Sequence, residues 1–192
     1  MAQGKLIVFS APSGSGKTTI VRHLLKQTEL NLEFSISATS REKRGEEIDG
    51  KDYYYMSAKE FKNKIKADKF LEWEEVYRDN FYGTLKTEIE RIWAMGKHVI
   101  FDIDVSGGLR IKRKYPEQTL AVFVKPPSID ELKIRLKKRK TESEDKINMR
   151  IAKASAELAT APLFDVIIEN DTLNHALNEA CGLVSKFVNS NN

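Results

Sequence analysis

A chain of 192 residues, the length of one large domain, carries 32 Lys and Arg against 28 Asp and Glu, a formal net charge of +4. That basic excess suits anionic small molecules and is too small to require DNA, RNA or a membrane surface. The single cysteine, Cys181, excludes an internal disulfide and fits a cytoplasmic setting, and the apolar run within Met1–Ser10 is too short for a signal peptide or a membrane span.

Lys5–Ser10 is a short run of apolar, β-branched and aromatic residues and reads as a strand buried on both faces. Ile20, Val21, Leu24 and Leu25 then recur at helical spacing within Thr18–Gln27. Between the two lies Ala11-Pro12-Ser13-Gly14-Ser15-Gly16-Lys17-Thr18, followed by Thr19. Glycines let successive backbone N–H groups face one concavity, which with the positive end of the helix cradles phosphate oxygens. Lys17 is placed to reach the β- and γ-phosphates of a nucleotide, and the Thr18 hydroxyl to ligate Mg²⁺. Ala11 stands where the usual pattern begins with Gly, but Gly14, Gly16, Lys17 and Thr18 are all present.

From Glu33 to Tyr82 the chain turns polar and Tyr-rich, with short alternating segments at Asp52–Met56 and Phe70–Tyr77, and reads as a small mixed insert. Buried strands are expected at His98–Asp102, Thr119–Val124 and Phe164–Ile168, with helices near Lys86–Met95, Ser106–Lys114, Ile129–Lys138 and Leu173–Val188. Strands alternating with helices predict an α/β fold with a doubly wound parallel sheet, its ligands at the carboxyl ends of the strands. Residues 137–145, almost wholly polar, read as a solvated loop or a lid. The basic run Lys133–Lys140 reads as a solvated helix face, and His23, His98 and His175 lack metal-ligand spacing.

The loop alone does not separate a GTPase, a motor and a small-molecule kinase, but an Asn/Thr-Lys-x-Asp guanine signature is absent from the sequence. Ser35-Ile-Ser37-Ala-Thr39-Ser40-Arg41-Glu-Lys-Arg44-Gly45 and Gly50-Lys51-Asp52-Tyr53 resemble the substrate-binding signature of guanylate kinases. Phe70-Leu-Glu72-Trp73, Asn80-Phe-Tyr82-Gly83-Thr84, Asp102-Ile-Asp104, Arg139-x-Thr141-Glu142 and Ile147-Asn148-x-Arg150 follow in that family's order and spacing. The resemblance covers nearly the whole chain. It implies a P-loop core (1–32, 96–126 and 161–192), a mixed α+β GMP-binding insert (33–95) and a helical lid region (127–160). It also implies ATP and GMP as substrates with Mg²⁺, dGMP being a second candidate acceptor, and a monomer or small homo-oligomer.

Chemistry and resemblance together assign the site. Arg41 and Arg44 offer forked donors to the GMP phosphate, Tyr53 and Tyr82 hydroxyls reach the same oxygens, and Ser37 adds a further hydrogen bond. Guanine presents N1–H and N2–H₂ side by side, which a carboxylate satisfies in bidentate fashion. Glu72 is the candidate, with Thr84 and Asp104 beside it. Asp102 is expected to orient Mg²⁺-bound water or the loop and Asp104 to meet the acceptor, with these roles exchangeable. Arg139 and Arg150 flank the polar loop and, by the resemblance, close over the ATP phosphates with Lys17 and Arg41. Asn170 is a candidate contact for adenine. Two other readings remain open: a non-catalytic module of the same fold that binds protein, and a kinase for another nucleoside monophosphate.

Overall fold

The computed structural model describes residues 4–138 and 144–190. Leu6–Ser10 forms the central strand β1, buried along its whole length. Side chains alternate across a strand, so Ile7 and Phe9 enter one apolar cluster while Leu6 and Val8 enter another on the opposite face. Helices α1 (Lys17–Leu24) and α7 (Leu173–Val188) cover the first through Ile20, Val21, Leu24, Ala176, Ala180 and Val184. Helices α3 (Lys86–Ala94) and α4 (Val105–Lys114) cover the second through Ile89, Ile92 and Ile111.

The sheet is parallel throughout. Its spatial order is β2 (Leu32–Phe34), β7 (His98–Asp102), β1, β8 (Thr119–Lys125) and β9 (Val166–Glu169). The reversal of strand order beside β1 makes the switch point, and the loop after β1 sits at its carboxyl end.

A second sheet, order β4 (Tyr54–Tyr55), β3 (Ala38–Thr39), β6 (Asn80–Leu85) and β5 (Phe70–Tyr77), has its own core. Phe61, from α2 (Ala58–Lys66), stacks on Phe70 at 4.2 Å and Phe81 at 5.3 Å between ring centroids. That helix opens with a capping box: the Ser57 hydroxyl accepts from the Glu60 N–H, and the Glu60 carboxylate accepts from the Ser57 N–H. The insert's own sheet and cluster span 38–85, whereas β2 and α3, at the ends of the expected 33–95, pack with the first sheet.

Helices α5 (Ile129–Lys138) and α6 (Glu144–Ala159) share a separate cluster of Leu132, Leu136, Ile147 and Ala154. Among the described residues no helix is long and apolar enough to cross a membrane.

Candidate active site

The chain leaves β1 at Ser10 and enters α1 at Lys17, with Gly14 and Gly16 at φ 97° and 93°. Gly16 is hemmed in as well as left-handed: a Cβ there would run into Asn170 Nδ2, which itself donates to the Ser15 carbonyl at 2.7 Å. Asn170 is buried, and its own carbonyl accepts from Arg135 Nη2 at 3.2 Å. It braces the loop from below. Gly16→Ala is therefore expected to cost about 1–3 kcal/mol of backbone strain and to weaken ATP binding. A thermal melt and titration calorimetry with ATP check it.

Lys17 Nζ lies 2.7 Å from Asp102 Oδ1 and donates to the Ile103 carbonyl at 2.6 Å. Thr18 Oγ1 donates to Asp102 Oδ2 at 2.6 Å, so one carboxylate at the end of β7 holds both loop residues. These groups line a cavity of about 450 Å³, with Tyr77 arriving from β5 and Arg150, Lys153 and Glu157 from α6. Arg150 Nη1 donates to Ser13 Oγ. Burial pushes the Glu157 carboxyl above its ordinary range, against the pull of Lys153, whose Nζ is 3.6 Å away.

Lys153 and Glu157 were not found from sequence. Their offsets of three and seven from Arg150 put all three on one helix face, the signal that would have found them. Arg139 lies outside the described residues. Among the described residues no group of three or more His, Cys, Asp or Glu could hold a metal ion. Thr18 and Asp102 still supply two hard oxygens, a set that suits Mg²⁺ because phosphates and waters complete its shell.

The second pocket opens from the insert. Glu72 is 6% exposed on β5 and its Oε1 accepts from Thr84 Oγ1, across the ladder on β6, at 2.9 Å. Burial first, and then the charge of Asp104, pushes the Glu72 pKa up to about 7. Asp104 caps α4 by accepting from the Gly107 N–H at 3.0 Å, while its backbone carbonyl takes the Ser10 hydroxyl. A Cβ at Gly107 would stand 2.9 Å from Glu72 Oε2 and 3.2 Å from Asp104 Oδ2, so only glycine leaves room for the two carboxylates to converge. Glu74 adds a third acid: its Oε2 is buried with no donor among the described residues, and burial and Asp104 raise its pKa.

Arg41 sits nearby in a cage. Its Nη1 and Nη2 each donate to Glu47 at 2.6 Å, and its Nε donates to the Tyr82 hydroxyl at 3.1 Å. The guanidinium lies over the Tyr53 ring at 4.9 Å. Glu47 also accepts from the Arg44 N–H at 2.8 Å and the Tyr55 hydroxyl at 2.6 Å. These donors hold Glu47 well below the usual carboxylate range, with Arg41 the largest influence. Burial and Glu47 push Tyr55 up to about 12. Sequence reading missed Glu47 and Tyr55, although an acid six residues after one arginine and three after another was the available signal.

The structure thus brings Arg41, Tyr53, Tyr82 and the Arg44 backbone together, and Glu72 with Thr84 and Asp104. The Arg44 side chain is exposed. Ser37, partly buried, offers its carbonyl to Tyr54 N–H at 2.9 Å.

Known proteins match nearly the whole chain. Residues 3–187 match the family described as Guanylate kinase. A guanylate kinase of Porphyromonas gingivalis is 50% identical over 184 residues, 96% of this chain and 98% of that protein. One of Bacteroides thetaiotaomicron is 51% identical over 186 residues, 97% of this chain and 91% of that protein. The crystal structure of guanylate kinase from Anaplasma phagocytophilum superposes with a TM-score of 0.77 at 26% identity, covering 98% of this chain and 88% of that one.

Proposed function

The chain belongs to the guanylate kinase family, and we propose that it transfers the γ-phosphate of ATP to GMP, giving ADP and GDP, through the two pockets just described. One observation carries the reading: Asp104 stands in the wall of the phosphate cavity and, over Gly107, against the Glu72 carboxylate. Donor and acceptor pockets therefore share a wall, as direct transfer requires.

In this assignment the Ala11–Thr19 backbone cradles the ATP phosphates, Lys17 and Arg150 face them, and Asn170 supports the loop rather than reading adenine. Thr18 would hold Mg²⁺ directly and Asp102 through water, and the ion supplies positive charge against the phosphate oxygens. Glu72 accepts from guanine N1–H and N2–H₂, with Thr84 keeping the carboxylate in plane. Arg41, Arg44, Tyr53 and Tyr82 hold the acceptor phosphate, and Ser37 adds a hydrogen bond to bound GMP. That phosphate is already ionised and needs no general base. Positive charge and in-line placement overcome the repulsion of two anions.

The contacts of Lys17 and Thr18 with Asp102 favour a working kinase over a binding-only module. The buried carboxylate favours guanine over adenine, whose N1 acceptor would leave it unpaired. A single cysteine is consistent with a cytoplasmic location. A coupled assay of ADP release with GMP, dGMP, AMP, UMP and CMP decides among acceptors. GMP is expected to give the highest kcat/KM, and preference for AMP would overturn the assignment of Glu72.

A further inference from the structure

Glu88, in the first turn of α3, is a buried acid that the transfer step does not use. Its carboxylate collects four donors. Oε1 accepts from the Ile36 N–H at 3.0 Å and Arg91 Nη2 at 2.8 Å. Oε2 accepts from the Tyr54 hydroxyl at 2.9 Å and Arg91 Nε at 2.9 Å. Arg91 meets it with a side-on fork and balances the charge, and the helix N-terminus adds to that. A carboxylate buried this deeply is tolerable only because its oxygens are so fully paired.

Where these donors come from gives the cluster its meaning. The chain passes from the first sheet to the insert at Ser35–Ser37 and returns at Leu85–Lys86. Along the outward crossing, ownership changes residue by residue. The Ser35 N–H bonds to Ile100 in the first sheet, the Ile36 N–H to Glu88, and the Ser37 carbonyl to Tyr54 in the insert. Ile36 belongs to neither ladder, and its part-buried N–H takes the carboxylate as its partner. Glu88 lies just past the return crossing, so it fastens both crossings, and through Tyr54 it also holds β4.

We infer that Glu88 is a positioning residue that pins the two crossings between sheet and insert and thereby sets Ser37 and the acceptor pocket against the phosphate loop. The inference rests on the GMP-binding reading of the insert. A glutamine at this position keeps the shape but offers one acceptor oxygen in place of two, so the four donors cannot all be met.

The test uses the full chain. Steady-state kinetics with GMP and ATP varied in turn, and hydrogen exchange at the Ile36 amide, are measured for wild type, Glu88→Gln, Tyr54→Phe and the double variant. Glu88→Gln is expected to raise the GMP KM about tenfold and to speed exchange at Ile36 by a similar factor, the scale of one charge-assisted hydrogen bond, with the ATP KM unchanged. Tyr54→Phe cuts only the insert's tie and should raise the GMP KM about threefold, Ile36 staying protected. The double variant should match Glu88→Gln, because both changes break one knot. A lowered melting temperature with an unchanged GMP KM, or an equal rise in both KM values, overturns the inference. Failure of the kinase reading looks different: wild type itself releases no ADP in response to GMP. Exchange at Ile36 and calorimetric GMP binding then judge the pin alone.

Discussion

Lys17→Met is expected to lower GMP-dependent ATP turnover by about a thousandfold or more, with little change in folding. The ammonium group is held at the wall of the phosphate cavity by Asp102 Oδ1 at 2.7 Å and the Ile103 carbonyl at 2.6 Å. Charge placed there in advance needs no reorganisation as negative charge spreads over the phosphoryl oxygens, which is why its removal weighs on kcat rather than on KM alone. Stability should suffer little. Although both side chains are largely shielded, at 16% and 15% exposure, Asp102 lines the cavity, where water can take the place of the ammonium, and it keeps its bond from Thr18. The loss is of the order of 1 kcal/mol, about 2–4 °C in melting temperature for a domain of this size. The coupled assay and a thermal melt on the same preparation test both halves. Near-normal turnover by the variant would remove Lys17 from the transfer step. Lys17→Arg, which keeps the charge but exchanges a point for a fork, should fall between.

What could be read from the sequence follows from how locally each feature is encoded. β1 and its loop were legible because a strand buried on both faces reads as an unbroken apolar run, and because Gly16 must adopt a conformation other residues avoid. β2 was not read: three residues at the sheet edge leave no periodicity. β6 was hidden in Asn80–Thr84, read as contacts rather than as the strand that carries Thr84 to Glu72. α2 went unread although its capping box is written plainly as Ser57 and Glu60.

Around the candidate site, the places of Lys17 and Asp104 beside the loop and of Glu72 on its strand were legible from chemistry or motif. Glu47 and Glu88 were not. Each is an acid in a charged stretch that looks like solvated surface, and its pairing comes from donors that folding alone brings near: Tyr55 eight residues from Glu47, and Ile36 fifty-two residues from Glu88. Glu88 also sits at i−3 to Arg91, the spacing of an ordinary surface pair, while its side chain is 1% exposed.

Glu72→Gln should lower kcat/KM for GMP by about a hundredfold, since the amide turns a donor toward guanine's own donors and leaves buried groups unpaired. AMP should gain relative to GMP, because one acceptor beside one donor is the pattern adenine matches. A pH dependence follows with a definite sign. Burial and Asp104 bring the Glu72 pKa to about 7, so the neutral carboxyl is populated as pH falls below neutrality. Guanine's N–H donors need the carboxylate, so GMP binding must expel that proton, and the GMP KM should rise up to about tenfold per pH unit below 7 and flatten above it. The second ionisation of the GMP phosphate, near pKa ~6, contributes a similar trend to any enzyme that binds the dianion. Glu72→Gln retains the phosphate's titration and lacks its own. The difference between the two profiles, taken from about pH 5.5 to 8.5, isolates the carboxyl. Parallel profiles would mean that Glu72 does not titrate against the base, and that the acid meeting guanine must be sought in Glu74 or Asp104, which share the same pocket wall.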